Sequence, residues 1–452
     1  LDVIDGGDGT DRLSVNIVDA DVPTTVTPDV SNVEEVFLRN QDGSVGDTFE
    51  LNTSSVDGVD EFRLRNSDGS STTQLSNLDT LDPTFSLANA GGTLELRFTD
   101  TTVEGNSDEV SLVVRDGTDA TIDTNDQSGT NDVVEALKIE STGSGSNTLD
   151  TDVTSNAFAT ITVSGDTDLD LKTLEGTQDA EVNASGFEGN LSVAIDTADN
   201  HTITGGSGND TLLLSGGVAT DDKDTFKGGA GTDTLVAVDT GAPNTDTTVE
   251  GFETFVARSS GSMIDVDTSS NALSGFDTLR AEANKAASDI EFTDASSGDT
   301  FTFAVRGDAS TNTFAGAGQA KVSLADDSAT DDVVNLTLVN QDDANTAEFN
   351  PLDVTGIETA NLTLERAGDI ENDDEFNIKA VSGAGDELSI AGEADASFGT
   401  GTALTNSTIS AGNAGGDLTL NLGDADQTVT TGGGADAIDI TNGNNNDDKI
   451  ST

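Results

Sequence analysis

The chain has 452 residues and carries 85 Asp and Glu against 18 Lys and Arg, which gives a formal net charge of −67. Such a surface would repel nucleic acid and anionic membranes, so the expected partners are cations. Cysteine, tryptophan and tyrosine are absent, which excludes disulfides and thiolate chemistry and leaves a thin core of aliphatic residues and Phe. The acidic excess is also typical of a halophilic or marine protein with a solvated surface, and the two interpretations are compatible.

Short stretches of alternating apolar and polar residues, bounded by Gly, Asp, Asn and Ser, predict half-buried strands along the whole chain. Clear examples are residues 13–18, 93–98, 300–305 and 418–422. Residues 279–288 predict one short helix. No apolar run approaches the roughly 18 residues of a membrane helix, so no membrane span is expected.

A looser unit also repeats. It begins with Asp-x-Φ-x-Φ, where Φ is apolar, and continues with a small residue followed by Φ-acid-x-Φ. The second half occurs at residues 32–37, 58–62, 251–255, 275–279 and 356–360. Recurrence at periods of 20–50 residues indicates stacked repeats, because one unit alone cannot bury its apolar face.

The sequence divides into four segments on these patterns. They are a β-rich segment 1–199 that opens with one glycine turn, glycine-turn repeats at 200–240, a β-rich solenoid segment 241–427, and the start of a further repeat block at 428–452. The chain opens and closes inside turn motifs, so we expect it to be a piece of a longer protein.

The strongest motif is Gly-Gly-x-Gly-x-Asp-x-Leu, which occurs without mismatch at residues 6–13, 205–212 and 228–235. Residues 431–438 lack only the first Gly, and residues 443–450 form a degenerate copy. Asp224 keeps only the Asp-x-Φ end. Glycines let the backbone curl and turn carbonyl oxygens inward. The Asp adds a carboxylate, and two stacked turns could supply the six to eight oxygens that Ca²⁺ takes.

We therefore predict that several Ca²⁺ ions are the cofactors. The motif Asp residues are the expected direct ligands, with Asp224 and Asp448 as second-rank candidates. The full set of predicted metal-site residues is Gly6, Asp8, Gly9, Asp11, Gly205, Gly208, Asp210, Asp224, Gly228, Gly231, Asp233, Gly434, Asp436 and Asp448.

Enzyme chemistry is not expected. The single histidine, His201, excludes a His-Glu-x-x-His site and is expected to be a surface residue beside a turn. No Gly-x-Ser-x-Gly elbow and no phosphate-binding Gly-x-x-x-x-Gly-Lys loop occurs. Close acid pairs such as Asp166 and Asp168 are inevitable in so acidic a chain, and they are expected to line a solvated face or a secondary cation site.

The nonapeptide resembles that of the RTX (repeats-in-toxin) calcium β-roll proteins. Residues 228–237 followed by 251–255, and residues 332–338 followed by 356–359, are similar to RTX-type surface-layer proteins of Gram-negative alphaproteobacteria. The resemblance implies an all-β, calcium-stabilised, right-handed β-solenoid or β-roll-like array with short RTX turns between stacked modules. It also implies type I secretion through an uncleaved C-terminal signal and a two-dimensional lattice of identical subunits on the cell surface. An anchor on cell-surface polysaccharide would lie outside these residues. The chain departs from the family in having few tandem RTX rows and more acid.

Two other functions stay open at this point. The chain could be a repeat region of a large secreted RTX adhesin, or the calcium-binding stalk of a secreted RTX enzyme whose catalytic domain lies elsewhere.

Overall fold

The computed structural model describes the chain apart from residues 1, 19–23, 42–47, 106, 127–133, 152–157, 175–178, 197–199, 216–222, 240–242, 244–246, 260–262, 270–272, 284–288, 307–312, 315–319, 327, 329, 342–345, 367–375, 425, 441–447 and 452. Strands take up about half of the chain. The described residues contain no α-helix, and none of them forms a helix long and apolar enough to cross a membrane.

The first strands are β1 Val3–Asp5, β2 Arg12–Ile17, β3 Thr24–Val26, β4 Asp29–Ser31, β5 Glu35–Asn40, β6 Thr48–Asn52, β7 Glu61–Arg65, β8 Thr72–Leu78, β9 Thr84–Ala88, β10 Gly91–Phe98, β11 Glu109–Arg115, β12 Asp119–Asp126, β13 Ala136–Thr142, β14 Asn147–Asp150, β15 Thr160–Gly165, β16 Leu169–Leu174, β17 Glu181–Phe187, β18 Leu191–Ile195, β19 Thr202–Thr204 and β20 Thr211–Leu214. They are followed by β21 Thr225–Lys227, β22 Thr234–Val238, β23 Thr248–Glu250, β24 Thr254–Ser259, β25 Met263–Asp267, β26 Thr278–Ala283, β27 Asp289–Ala295, β28 Thr300–Arg306, β29 Thr313–Phe314, β30 Ala320–Leu324, β31 Val333–Gln341, β32 Ala347–Phe349, β33 Leu352–Arg366, β34 Phe376–Ile378, β35 Val381–Gly392, β36 Ala396–Phe398, β37 Thr408–Ala414, β38 Leu418–Leu422, β39 Thr428–Thr430, β40 Ala437–Ile440 and β41 Lys449–Ser451.

The first compact unit comprises Leu1–Leu214, Thr220–Thr234 and Asp246–Phe252. One ladder of parallel strands runs through β2, β5, β7, β9, β11, β13, β15, β17, β19, β21 and β23. A second parallel ladder runs through β3, β6, β8, β10, β12, β14, β16, β18 and β20. Because the chain alternates between the two ladders, it forms the coils of a β-solenoid, as the repeats predict.

The core of this unit lies between the two ladders. Strand β11 alternates buried and partly exposed residues along its length, and β10 does so from Thr93 onward. Phe85 of one ladder stacks on Phe62 of the coil before it, with ring centroids 6.0 Å apart. Phe85 also meets Phe98 of the other ladder edge-on at 6.3 Å. Apolar side chains therefore form columns along the solenoid, which suits a chain whose only aromatic residue is Phe.

Residues with left-handed backbone turn one corner of successive coils. Asn66, Asn89 and Asp116 each follow a strand of the first ladder and have φ values of 47°, 44° and 62°. Asn and Asp tolerate this conformation better than other residues with a Cβ. The Asn89 amide also donates to Asn66 Oδ1 at 2.9 Å, so the corner residues are linked from coil to coil.

The second unit comprises Ser215–Ala219, Leu235–Thr245 and Glu253–Thr452. Its parallel ladders run through β24, β26, β28, β31, β33, β35, β37, β39 and β41; through β25, β27, β30 and β33; and through β29, β32, β34, β36, β38 and β40. Phe292 and Phe301 stack in its core at 4.7 Å.

The four alternating stretches predicted as strands fall in β2, β10, β28 and β38, apart from Val18, which follows the end of β2. The helix expected at residues 279–288 is wrong where it can be checked. Residues 278–283 form β26, which pairs in parallel with β24 and β28; residues 284–288 lie outside the described residues. Ladder pairing on both sides outweighs the modest helix propensity of a few residues.

Candidate metal centre

Two of the glycine turns predicted to bind Ca²⁺ lie directly over one another in consecutive coils of the first unit. The backbone nitrogen of Gly205 donates to the carbonyl oxygen of Lys227 at 2.8 Å, and that of Ala230 donates to Gly206 at 2.9 Å. Their Asp residues, Asp210 and Asp233, are one coil of 23 residues apart. The stacking that the sequence predicted for a shared ion site is therefore present.

The glycines of these turns are required by the close approach of neighbouring coils. A Cβ placed on Gly205 would lie 2.0 Å from the carbonyl oxygen of Gly228, and one on Gly228 would lie 2.0 Å from that of Gly251. The same holds for Gly208, 2.2 Å from the Gly189 oxygen, and for Gly231, 2.1 Å from the Gly208 oxygen. Gly231 also has φ 132°. The absence of side chains at these glycines lets the carbonyl oxygens of one turn lie directly against the backbone of the next turn.

The Asp210 carboxylate is enclosed by backbone donors, and the residue is only 5% exposed. Its Oδ1 accepts from the Leu191 nitrogen, and its Oδ2 accepts from the Gly206 nitrogen, both at 2.7 Å. Burial raises the pKa of Asp210, and the two backbone hydrogen bonds oppose that rise. Burial therefore disfavours the charged form of Asp210 unless a cation lies beside it.

Asp233 repeats the Oδ1 part of this arrangement one coil later. It is 0% exposed, and its Oδ1 accepts from the backbone nitrogen of Asp210 at 2.7 Å. Asp210 in turn accepts at its carbonyl oxygen from Thr234 at 2.8 Å. The two Asp residues therefore form a continuous column at the strand-starting edge of the coils.

Asp224 belongs to a different column, at the edge of the first ladder. It is 2% exposed, and its Oδ1 accepts from the His201 nitrogen at 2.8 Å. His201 is itself only 2% exposed, and its Nδ1 lies 3.4 Å from the Ala180 nitrogen that donates to it. The expectation of a surface histidine is wrong. His201 precedes a strand of the first ladder, and Asp224 occupies the same position in the next coil and covers it.

The N-terminal turn lies apart from the other two. Gly6 lies against the next coil, since a Cβ there would lie 1.9 Å from the Asn32 oxygen. Gly9 has φ 130°, and Asp8 is exposed. The backbone nitrogen of Asp11 donates to Glu34 Oε2 at 2.7 Å. Asp11 Oδ2 is shielded from solvent and has no hydrogen-bond partner among the described residues.

The Asp residues of the last two copies lie in the second unit and precede strands of separate ladders. Residues 441–447, which hold most of the degenerate copy, lie outside the described residues. Asp436 Oδ1 accepts from the Leu418 nitrogen at 3.1 Å, and Asp448 Oδ1 accepts from the Gln427 nitrogen at 2.9 Å. Gly434 has φ 92°, and a Cβ on it would lie 2.6 Å from the Gly416 oxygen. Each Asp again reaches the coil before its own, 18 residues back for Asp436 and 21 for Asp448.

Sequence reasoning missed a second column of polar side chains beside the Asp210 column. Asp168 Oδ1 accepts from the Asn190 nitrogen at 2.9 Å, Asn190 Oδ1 from the Asn209 nitrogen at 2.6 Å, and Asn209 Oδ1 from the Thr232 nitrogen at 2.9 Å. Asn209 and Thr232 both occupy the variable position x of Gly-x-Asp, immediately before a motif Asp. A polar residue at this position was the sequence signal that could have predicted the second column.

The chemistry of the stacked turns fits Ca²⁺. Each carboxylate oxygen has two lone pairs, and both oxygens of Asp210 still have one free after accepting a backbone N–H. Asp210, Asp233 and the glycine carbonyls are all oxygen donors, the type that Ca²⁺ prefers. Within the described part of the chain, no three acidic or His side chains converge. Any ion held here would therefore take much of its shell from backbone and water.

No family model matches the chain, and no curated protein matches it.

Proposed function

We propose that this protein is a calcium-dependent structural protein of the cell surface, whose subunits assemble side by side into a layer. The observation that supports this most is the tandem stack of glycine turns that buries Asp210 and Asp233 in consecutive coils. The resemblance of the turns to RTX repeats supports it as well. Secretion by the type I route and a two-dimensional lattice are parts of the same proposal.

Calcium would act first on the fold. Asp210 and Asp233 would hold the ion together with carbonyl oxygens of the stacked turns. Bound Ca²⁺ would place positive charge beside these buried carboxylates. Ligand-linked folding raises the free energy of unfolding by about 2.7 kcal/mol per site at a hundredfold excess of ligand over Kd.

Calcium would act second on association. Bodies that carry a charge near −67 repel one another over a Debye length of roughly 8 Å at physiological salt. Monovalent salt screens this repulsion but cannot bridge two carboxylates. Association should therefore depend on a divalent cation and should not follow ionic strength alone.

The test is negative-stain microscopy of the metal-free protein titrated with Ca²⁺ or with Na⁺ at matched ionic strength. Ordered sheets should form with Ca²⁺ only. The Asp210→Asn/Asp233→Asn double variant should need more Ca²⁺ than wild type, and the exposed Asp57→Asn variant should not. If the full-length protein stays monomeric at millimolar Ca²⁺ and high concentration, the surface-layer proposal fails. The adhesin or stalk function would then take its place.

A further inference from the structure

Three pairs of acids, each on adjacent coils, share one arrangement. In each pair the backbone nitrogen of an Asp donates to Oε2 of a Glu in the following coil. The distances are 2.7 Å for Asp11 and Glu34, 2.9 Å for Asp108 and Glu135, and 3.1 Å for Asp332 and Glu358. The carbonyl oxygen of each Asp also accepts from the residue after that Glu, at 3.1, 2.9 and 3.0 Å. Asp11, Asp108 and Asp332 each begin an Asp-x-Φ-x-Φ stretch of the looser repeat. Glu34 and Glu358 are acids of its second half.

Each pair also leaves one carboxylate oxygen without a partner. The Oδ2 atoms of Asp11, Asp108 and Asp332 are shielded from solvent and have no hydrogen bond among the described residues. Asp332 is the most enclosed of the three, at 4% exposed. Asp210 differs, because both of its oxygens accept backbone N–H groups. A buried carboxylate oxygen without a donor is unfavourable unless a cation or a proton satisfies it.

A protein cation does not fill this role at Asp332. No salt bridge joins Asp332 or Glu358 to a basic residue within the described part of the chain. The hydrogen bond from the Asp332 nitrogen to Glu358 therefore places two acidic residues at one coil junction, with no salt bridge to either of them among the described residues. Glu358 is partly exposed, so water can reach the junction from the Glu side.

We propose that Asp332 and Glu358 form a divalent-cation site of the Ca²⁺ type, and that Asp108–Glu135 and Asp11–Glu34 are the same site in other coils. Two carboxylates from adjacent coils and several waters suit Ca²⁺, which accepts irregular oxygen shells, better than Mg²⁺, which demands an octahedron. Residues 102–108 and 326–332 contain no Gly-Gly-x-Gly turn. The Asp332 and Asp108 sites are thus distinct from the glycine-turn sites, whereas Asp11 also belongs to the N-terminal glycine turn. They add to the calcium dependence of the proposed function without using Asp210 or Asp233.

The test counts bound Ca²⁺ by equilibrium dialysis and atomic absorption on the whole chain. Asp332→Asn should bind one ion fewer than wild type, and Asp108→Asn/Asp332→Asn two fewer. The matched controls Asp331→Asn and Glu109→Gln, exposed acids next in sequence, should keep the wild-type count. Because Asn is nearly isosteric, Asp332→Asn should also melt at a higher temperature than wild type in EGTA and gain less from Ca²⁺.

Two results would overturn the inference. One is an unchanged ion count in the double variant. The other is an Asp332→Asn variant that responds to Ca²⁺ as wild type does but differs from wild type in its response to acid. That result would mean that a proton, and not a cation, satisfies Asp332. If ions are lost as expected but no sheets form in Ca²⁺, the surface-layer proposal fails and this site stands. If sheets form in Ca²⁺ and the ion count is unchanged, the surface-layer proposal stands and the Asp332–Glu358 site is ruled out.

Discussion

The carboxylate of Asp233 reaches back one coil, where its Oδ1 atom lies 2.7 Å from the backbone nitrogen of Asp210. Asp210 does the same to Leu191, and Asp224 to His201. The Asp residues of the predicted calcium motif therefore have a structural task that needs no metal, since each accepts an N–H at or immediately before the start of a strand one coil back. A variant at such a position has to separate this task from ion binding.

Asp233→Ala and Asp233→Asn make that separation. Alanine leaves the buried Asp210 N–H without an acceptor, so we expect the free energy of unfolding in EGTA to fall by about 1–3 kcal/mol. Asparagine keeps the acceptor oxygen and should lose less in EGTA. Both should lose the added stability that Ca²⁺ gives. Urea unfolding with and without Ca²⁺ measures this, with the exposed Asp57→Asn as control. Equal losses for Ala and Asn in EGTA would contradict the backbone role of Oδ1.

Gly205→Ala tests the close approach of the stacked turns. The added Cβ would lie 2.0 Å from a backbone oxygen, and the coils cannot separate without breaking ladder bonds. We expect a loss of about 3 kcal/mol or more, at the upper end of single substitutions. Gly186→Ala is the matched control, because its Cβ would meet nothing within 4 Å, and it should change stability by less than about 1 kcal/mol. Similar melting temperatures for the two variants would disprove the steric argument.

Glu61 carries the pH prediction. Burial alone would raise the pKa of Glu61, but hydrogen bonds from Ser86 and Arg63 and the charges of Arg63 and Arg115 together lower it below 4.5. The charged form is thus favoured by folding. Its stabilisation is complete above pH 4.5 and disappears as the pH falls through the lowered pKa of the folded state.

We therefore expect Glu61→Gln to be less stable than wild type at pH 7 by roughly 1–2 kcal/mol, with a difference that vanishes on acidification. Chemical denaturation between pH 3 and 7 measures the difference. Glu140→Gln, at an exposed position of β13, should show no such trend. A difference that stays constant over the range would mean that Glu61 acts by packing and not by charge.

Asn89 tests the left-handed corner. Its φ of 44° is unfavourable for alanine by roughly 1–2 kcal/mol, whereas glycine adopts it freely. Asn89→Ala should therefore be less stable than Asn89→Gly in urea unfolding, although both lose the hydrogen bond to Asn66. The opposite order would show that backbone strain does not govern this corner.

The sequence predicted the coiled all-β fold because alternation marks strands such as β10 and β38, and because the repeat implies stacking. It could not predict which residues align between coils, and that register decides most side-chain partners. His201 was expected at the surface for this reason, although the column that starts the strands buries it. Residues 279–283 were expected in a helix because a local pattern does not show the two neighbouring strands that hold β26.

For the candidate site, spacing alone was enough to predict that two glycine turns would stack. The repeat likewise identified Glu34 and Glu358 as recurrent acids. It did not show that each lies beside a buried Asp, because the loops between strands differ in length. Coil-to-coil contacts span 21 residues from Asp179 to Asn200 and 27 from Asp108 to Glu135. Because the number of residues per coil varies, residues that are neighbours in space have no constant separation in sequence.

The column from Leu191 through Asp210 to Asp233 also bears on how such a protein can change in length. Asp210, in the middle of this column, donates its backbone N–H to the coil after it and accepts one at Oδ1 from the coil before it. Removal of a whole coil, such as residues 211–233, would join like positions and leave each carboxylate opposite a backbone N–H. Removal of part of a coil would misalign the entire column. Duplication and loss are therefore tolerable in steps of one full coil, so that the solenoid can lengthen or shorten in evolution without a new design of its edge.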